Sequence, residues 1–181
     1  MKVVVEEYNP EWALQFQTIK QELEEVLKGV KYITIEHVGS TSVPGLASKP
    51  VIDLSVISER EDVDAAIEAL TKNGGYAYMG EMGIPDRHAL RKPGALPLRN
   101  LYVSVVGCQS IRNQLGVRDI CRRDSEVREA YGKTKLKLSH REWTDVNEYC
   151  EAKNDIIAWV LEKAGMSNEE RDQIRKLNTM I

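Results

Sequence analysis

The sequence predicts an α+β protein: a mixed β-sheet of about four or five strands, flanked by helices, with a C-terminal helical segment packed on it. Short runs rich in β-branched residues, with alternating apolar and polar side chains, predict the strands. From about Gln109 onward, apolar residues recur at helical spacing instead. No linker of Gly, Pro or Ser separates residues 1–108 from residues 109–181, so we expect both regions to form one compact unit.

Composition is typical of a globular protein and excludes several functional classes. The chain has 181 residues, of which 42% are hydrophobic and 29% charged, enough for a full core without disulfides. A formal net charge of −3 gives no support to nucleic-acid binding or to an anionic membrane surface. The three cysteines are far apart and lack a C-x-x-C spacing, which argues against a disulfide framework and a zinc site.

The chain also lacks the signals of export or membrane insertion. Its first ten residues are too short and too acidic for a signal peptide, and no apolar run is long enough to cross a bilayer. We therefore expect a cytoplasmic protein without nucleic-acid or membrane partners. Nothing in the sequence indicates an oligomeric state.

The first predicted helix begins at Asn9-Pro10, because Asn caps helices and Pro fits their first turn. Gly29 ends it. Its apolar stripe consists of Trp12, Phe16, Ile19, Leu23, Val26 and Leu27. Before it, the segment from Val3 to Val5 is either a short edge strand or an arm docked on the fold.

Four strands are predicted from the β-branched runs. They cover residues 32–38, 51–57, 76–79 and 101–106. In the second strand, Ile52, Leu54 and Val56 point to one side of the sheet. Asp53 and Ser55 point to the other side, so both should flank the same site.

A long loop is predicted over residues 81–98, because Gly and Pro recur there. Loops of this length in compact domains are often functional. Its cations are Arg87, Arg91 and Lys92, with His88 when it is protonated.

Helices account for most of the remaining chain. Three are predicted over residues 59–72, 110–123 and 145–163. A fourth is predicted to begin at a Ser125 cap, between the second and third of these, and a fifth lies at the end of the chain. The last helix begins with Ser167-x-x-Glu170, the pattern of a capping box.

Gly39, Ser40 and Thr41 follow the first strand and form a candidate phosphate-binding turn. Glycine allows the backbone to approach a ligand closely. The N–H groups and two hydroxyls that follow can surround a phosphate. On these three residues alone, an ordinary strand-to-loop turn with a helix cap is the better interpretation.

Asp53 is a candidate functional acid, because a carboxylate inside an apolar strand is costly unless it faces water, a cation or a metal. Lys49, just before this strand, can neutralise a phosphate or pair with Asp53. The simpler interpretations are a solvent-facing Asp53 and a surface Lys49. His37, which ends the first strand, is expected to be a hydrogen-bonded structural residue.

Taken together, these residues resemble the signature of the GrpB family. The resembling segment is His37-Val38-Gly39-Ser40-Thr41, Val43-Pro44-Gly45-Leu46-Ala47 and Lys49-Pro50-Val51-Ile52-Asp53. Similar motifs over nearly the whole chain are Tyr8-Asn9-Pro10-x-Trp12, Gly75-Tyr76, Asn100-Leu101-Tyr102-Val103, Val117-Arg118-Asp119, Tyr131-x-x-x-Lys135 and Tyr149-x-x-x-Lys153. The family is assigned to the nucleotidyltransferase superfamily, so the resemblance implies a nucleotidyltransferase-like sheet.

The resemblance also implies a phosphate site beside Mg²⁺-binding carboxylates. Nucleotidyltransferases typically carry two carboxylates one residue apart and a third on a later strand, which together hold two Mg²⁺ ions. In this chain Asp53 is the candidate catalytic and metal-binding residue. Ser55 occupies the second position, and no acid lies between Asn100 and Ser104. Because Mg²⁺ prefers several oxygen anions, standard two-metal transfer is not expected.

Two hypotheses for the function follow. The first is a protein that binds a nucleotide or phosphorylated metabolite, with any catalysis using at most one Mg²⁺ on Asp53. Its predicted ligand-binding residues are Gly39, Ser40, Thr41, Lys49, Arg87, Arg91, Arg118, Lys135 and Lys153. The alternative is a non-catalytic interaction or regulatory module in which Lys49 pairs with Asp53. In that module the Tyr/Lys pairs, four residues apart, only pack on their helices and extend to solvent.

Overall fold

A five-stranded mixed sheet organises the computed structural model, which describes residues 2–179. The strands are β1 Thr34–Val38, β2 Ile52–Ser58, β3 Ala77–Tyr78, β4 Arg87–Arg91 and β5 Arg99–Val105. Their order across the sheet is β1-β2-β5-β4-β3. The central strands β2 and β5 are parallel, and the other neighbouring pairs are antiparallel. The predicted mixed sheet is therefore confirmed.

Helices flank the sheet and make up the C-terminal part. They are α1 Glu11–Val26, α2 Val63–Lys72, α3 Gln109–Arg123, α4 Ser125–Ser139, α5 Val146–Glu151, α6 Asn154–Lys163 and α7 Asn168–Thr179. Short 3-10 helices cover Ser40–Ser42 and Arg60–Asp62. Over residues 2–179, none of the helices combines the length and apolar character that crossing a membrane requires.

Helix α1 packs its predicted stripe into the main core. The backbone N–H of Glu11 donates to the side chain of Asn9 at 3.0 Å, so Asn9 stabilises the start of the helix as expected. Trp12, Ile19 and Leu23 are buried against apolar residues of β2, β5 and α2. Burial of this apolar stripe against one face of the sheet therefore stabilises the helix.

The segment 81–98 was expected to be a loop, and this is wrong, because it contains β4. Ala89 and Leu90 are fully buried, and β4 pairs with β5 on one side and β3 on the other. The Gly and Pro residues that suggested a loop lie on either side of the strand. The strand has only five residues, so its alternation of apolar and polar side chains is too short to be distinguished from a loop sequence.

Two of the predicted helices differ in detail. The expected helix over residues 145–163 is divided into α5 and α6. Asp124, and not Ser125, caps α4, because its side chain accepts a hydrogen bond from the N–H of Val127 at 3.1 Å. Both residues are good caps, so the sequence alone did not decide between them.

The predicted capping box at the last helix is confirmed. The Glu170 N–H donates to the Ser167 hydroxyl at 3.3 Å, and the Ser167 N–H donates to the Glu170 carboxylate at 2.9 Å. Two backbone groups that a helix end leaves without partners are thereby satisfied.

The C-terminal helices share a core with the loop between β1 and β2. Val43 and Leu46 come from this loop and are fully buried. They pack against Ile120, Cys121, Val127, Tyr131 and Val160 of α3, α4 and α6. Residues of 1–108 and 109–181 therefore enclose one apolar cluster.

We expect Leu46→Ala to lower the free energy of unfolding by about 2–5 kcal/mol, because it removes a fully buried side chain from the shared cluster. Unfolding should still occur in one transition, followed in urea by far-ultraviolet circular dichroism and tryptophan fluorescence. Leu14→Ala is the matched control, because Leu14 is 62% exposed and should change stability by less than about 0.5 kcal/mol. Two separate transitions in the native protein would show that the regions unfold independently.

Candidate functional site

A cavity of about 320 Å³ lies where the sheet meets the C-terminal helices. We call it the lysine cavity, after Lys49, Lys135 and Lys153, which converge on it. The other sequence-predicted residues that line it are Gly39, Ser40, Thr41 and Asp53. Seven residues from four separate segments of the chain therefore meet at one place, between β2, the turn before it, α4 and the α5–α6 junction.

Asp53 is fixed at the base of the lysine cavity by the parallel pairing of β2 with β5. The register places Asp53 opposite Asn100, and the Asn100 amide donates to Oδ1 of Asp53 at 2.8 Å. Burial raises the pKa of the Asp53 carboxyl, while the Asn100 hydrogen bond and then the charge of Lys49 oppose that rise. Asp53 is the only carboxylate among the described residues that line the cavity.

Gly39 allows the turn to approach Asp53. Its backbone has φ 70° and ψ −177°, in a region that residues with a side chain rarely adopt. A Cβ at this position would lie 2.9 Å from Cβ and Cγ of Asp53, and closer still to Oδ2. The sequence suggested that this glycine lets the backbone approach a ligand, whereas its Cα packs against the carboxylate of the protein itself.

His37 is a structural residue that supports the turn, as expected. Its Nε2 lies 3.0 Å from the hydroxyl of Thr41, and its ring stacks on Phe16 at 4.6 Å between centroids. Burial, with smaller effects of Arg122 and Arg118, lowers the pKa of His37 to about 4. A neutral imidazole therefore holds the Thr41 side chain in place at neutral pH.

The two Tyr/Lys pairs place the buried Lys135 and the partly exposed Lys153 at the lysine cavity. The Lys135 Nζ lies 5.1 Å from the ring centroid of Tyr131, and the Lys153 Nζ lies 4.5 Å from that of Tyr149. The side chain of Lys135 does not extend to solvent, since the residue is only 3% exposed. Each tyrosine ring therefore packs against the ammonium group of one of these lysines.

These lysines have no close acidic partner. Among the described residues, no carboxylate lies within 4.0 Å of the ammonium groups of Lys49, Lys135 or Lys153. Burial, and then the neighbouring charge of Lys153, lowers the pKa of Lys135 to about 7. Burial also lowers the pKa of Lys153. Three amines facing one carboxylate give a cavity that favours anions.

Arg87 and Arg91 were predicted to bind the ligand, but they lie outside the lysine cavity. They come from β4 and stack on the ring of Tyr102, with guanidinium carbons 4.7 Å and 5.7 Å from its centroid. Tyr102 itself lines the lysine cavity. Tyr102 therefore contacts both arginines and lines the cavity, whereas Arg87 and Arg91 do not line it.

Arg118 also lies outside the lysine cavity, and its charge is neutralised. Its guanidinium pairs with Glu36 at 2.7 Å and with Asp119 at 2.7 Å, and it donates to the His37 carbonyl at 3.1 Å. It lines a second cavity of about 160 Å³ on the other side of the Gly39-Ser40 turn. Its role is thus to fix β1 to α3.

Sequence reasoning missed Gln114, Tyr149 and Cys150 as residues that line the lysine cavity. The carbonyl oxygen of the Gln114 amide and the hydroxyl of Tyr149 are buried without a hydrogen-bond partner among the described residues. Buried polar atoms of this kind are uncommon in folded proteins. The one available signal was the Tyr149/Lys153 spacing, while nothing in the sequence distinguishes Gln114 from other polar residues of its helix.

The cavity does not have the donors of a two-Mg²⁺ centre. In the described part of the chain, no three His, Cys, Asp or Glu side chains lie close enough together to hold a metal ion. Ser55, at the position of the second acid, is fully buried and donates to the Ser104 hydroxyl at 2.8 Å. Ser55 thus links two strands beneath the cavity, and the expectation that it flanks the site is wrong.

Fold and site together define an α+β protein with a lysine-rich cavity between a mixed sheet and a helical layer. Its residues 2–163 match the GrpB protein family, and the chain belongs to that family. It is 35% identical over 161 residues to a UPF0157 protein of Halalkalibacterium halodurans, covering 87% of this chain and 80% of the relative. A UPF0157 protein of Streptomyces coelicolor is 30% identical over 172 residues, covering 91% of this chain and 86% of the relative.

A solved structure supports the fold independently. The crystal structure of the conserved protein GrpB from Enterococcus faecalis is similar with a TM-score of 0.77 at 32% identity. The match covers 89% of this chain and 96% of that chain.

We expect Gly39→Ala to lower the free energy of unfolding by about 2–4 kcal/mol, because it adds both backbone strain and a clash with Asp53. Gly94→Ala is the matched control. Gly94 has φ +72°, and a Cβ there would meet nothing within 4 Å, so about 1 kcal/mol of strain alone should result. Urea unfolding measures both values. Equal losses in the two variants would contradict the close approach of the turn to Asp53.

We expect Lys135→Met to raise the free energy of unfolding at pH 7 by at least about 1 kcal/mol, because it removes a buried charge without an acidic partner. Between the folded pKa of about 7 and the ordinary value of 10.5, the unfolded chain binds more protons at this lysine. Stability of the native protein therefore rises with pH over this range. The gain from the substitution should accordingly be largest near pH 7 and smaller at pH 9.

The control for this substitution is Lys133→Met on the same helix. The Lys133 side chain is 78% exposed, so its replacement should change stability by less than about 0.5 kcal/mol at either pH. Chemical denaturation at pH 7 and pH 9 measures all three proteins. A loss of stability in Lys135→Met at pH 7 would show that Lys135 has a stabilising partner.

Proposed function

We propose that this protein binds a nucleotide or another phosphorylated small molecule in the lysine cavity. The observation that carries the proposal is the convergence of three lysines on a cavity that contains one carboxylate. Ammonium groups are common ligands of phosphate oxygens. A cavity of about 320 Å³ lies within the size range of sites for small molecules.

The turn after β1 supplies the second part of the proposed phosphate site. The side chains of Ser40 and Thr41 line the cavity, and the 3-10 helix Ser40–Ser42 begins there. A serine hydroxyl can donate a hydrogen bond, so Ser40 complements the lysines as a donor to phosphate oxygens.

Magnesium has a limited role in this proposal. Mg²⁺ often binds through one or two carboxylates together with the phosphates of its ligand. Asp53 is then the protein carboxylate, and the remaining oxygens come from the ligand and water. No further acid of the described residues lines the cavity, so we do not propose standard two-metal nucleotidyl transfer.

The alternative, a non-catalytic interaction or regulatory module, predicts that Lys49 and Asp53 neutralise each other. Both residues are described, and no ion pair within 4.0 Å joins them. The absence of this ion pair favours the proposed binding site over the alternative. The alternative also predicts that no phosphorylated compound stabilises the protein, which the following experiment tests.

A thermal-shift screen of nucleotides and phosphorylated metabolites, with and without Mg²⁺, tests the proposal. We expect at least one compound to raise the melting temperature, because ligands that bind only the folded state stabilise it. Lys153→Met and Ser40→Ala should each reduce this shift. Lys133→Met, on the exposed side of α4, is the control and should not. A screen in which no phosphorylated compound shifts the native protein would favour the alternative.

Asp53→Asn separates direct recognition by lysines from recognition through a metal. The substitution removes the one negative charge of the described cavity lining and keeps the side-chain shape. If the lysines bind phosphate directly, the shift without Mg²⁺ should increase. If Mg²⁺ on Asp53 is required, the Mg²⁺-dependent part of the shift should disappear.

A further inference from the structure

The second cavity adjoins the lysine cavity and shares a wall with it. Gly39, Ser40 and Gln114 line both cavities. The remaining lining of the second cavity comes from α3, α4 and α6, namely Asn113, Val117, Arg118, Tyr131 and Ile157. A molecule in the lysine cavity therefore has a continuation available past the Gly39-Ser40 turn.

The second cavity differs from the first in charge. Its single cation, among the described lining residues, is Arg118, which is paired with Glu36 and Asp119. Val117, Ile157 and the ring of Tyr131 supply apolar walls, and Asn113 and Gln114 supply amides. Such a lining suits an uncharged group that has a flat apolar face and polar edges.

The volume of the second cavity corresponds to one ring system. It measures about 160 Å³, and a cavity of about 150 Å³ in another protein accommodates benzene. A heterocycle of similar size thus fits, whereas a second phosphate would find no unpaired cation among the described lining residues.

Gln114 occupies the junction of the two cavities. It lines both of them, and the carbonyl oxygen of its amide is buried without a hydrogen-bond partner among the described residues. A buried amide oxygen that lacks a partner costs free energy. A ligand with a hydrogen-bond donor at this point would satisfy it, as happens at sites that discriminate between heterocycles.

We infer that the ligand has two parts: an anionic phosphate group in the lysine cavity and an uncharged nucleobase-like heterocycle in the second cavity, hydrogen-bonded by the amides of Asn113 and Gln114. This inference rests on the proposed function and specifies it further. It selects nucleotides over phosphorylated sugars and inorganic polyphosphates. The anion provides affinity, and the heterocycle provides selectivity.

Titration calorimetry of the full chain with ATP, CTP and inorganic tripolyphosphate tests the inference. Tripolyphosphate carries the anionic group without the heterocycle and has at least as much charge. We expect ATP or CTP to bind at least about tenfold more tightly than tripolyphosphate. Val117→Phe, which fills the second cavity, should reduce this ratio of dissociation constants to about threefold or less.

A second variant keeps the inference testable if Val117→Phe does not fold. Asn113→Leu removes an amide from the second cavity and should also reduce the ratio. Gln17→Leu is the matched control, because Gln17 is an exposed amide on α1 and its replacement should leave the ratio unchanged. Circular dichroism confirms that each variant is folded before its titration.

The outcomes separate the inference from the proposed function. Equal affinity for tripolyphosphate and both nucleotides would overturn the inference and leave the phosphate site standing. A nucleotide preference that persists in folded Val117→Phe and Asn113→Leu would place the heterocycle elsewhere and would also overturn it. If none of the three compounds binds, the phosphate site itself fails, and the inference fails with it.

Discussion

The carboxylate of Asp53 is the point on which the geometry of the site depends. It joins β2 to β5 through the Asn100 amide, and the Gly39 backbone packs directly against it. It is also the one carboxylate, among the described residues, that lines the cavity together with the three lysines. Without one buried negative charge, three ammonium groups would repel each other strongly in a cavity of low dielectric. The carboxylate therefore allows an excess of positive charge to be kept inside the fold.

The excess of positive charge in the cavity lowers the stability of the fold, and contacts with aromatic rings offset part of this loss. Lys135 and Lys153 are held over tyrosine rings, whose faces attract cations even where water is excluded. Burial still lowers the pKa of both lysines. Proteins commonly retain such unfavourable groups where function requires them. The unpartnered amide oxygen of Gln114 belongs to the same pattern. A bound anion would offset the lysine charges, and a donor attached to it would satisfy this oxygen.

Much of the site was predictable, because part of its geometry is local. A strand that alternates Ile, Asp and Leu directs Asp53 away from the core side chains, and a Gly-Ser turn must lie at the end of the preceding strand. Resemblance to the Tyr/Lys motifs of the GrpB family placed Lys135 and Lys153 among the ligand-binding candidates, whereas their spacing alone suggested packing with solvent-exposed amines. Arg87, Arg91 and Arg118 were assigned to the ligand because they are cations near the motifs in sequence. Strand β4 instead places two of them against the ring of Tyr102, and two acids pair with the third.

The sequence alone determined the fold class, most helices and strands, the turn at Gly39 and the polar face of β2, because each depends on periodicity or on residues close together in the chain. Only the tertiary structure decided which polar residues meet. Strand register places Asn100 beside Asp53, and packing of α3, α4 and the α5–α6 junction brings Gln114, Lys135 and Lys153 to one cavity. Contacts of this kind join residues that are about 50–100 positions apart, and the periodicity of single elements contains no information about them. Burial, and with it the charge state of Lys135, follows from those contacts and from nothing in the local sequence.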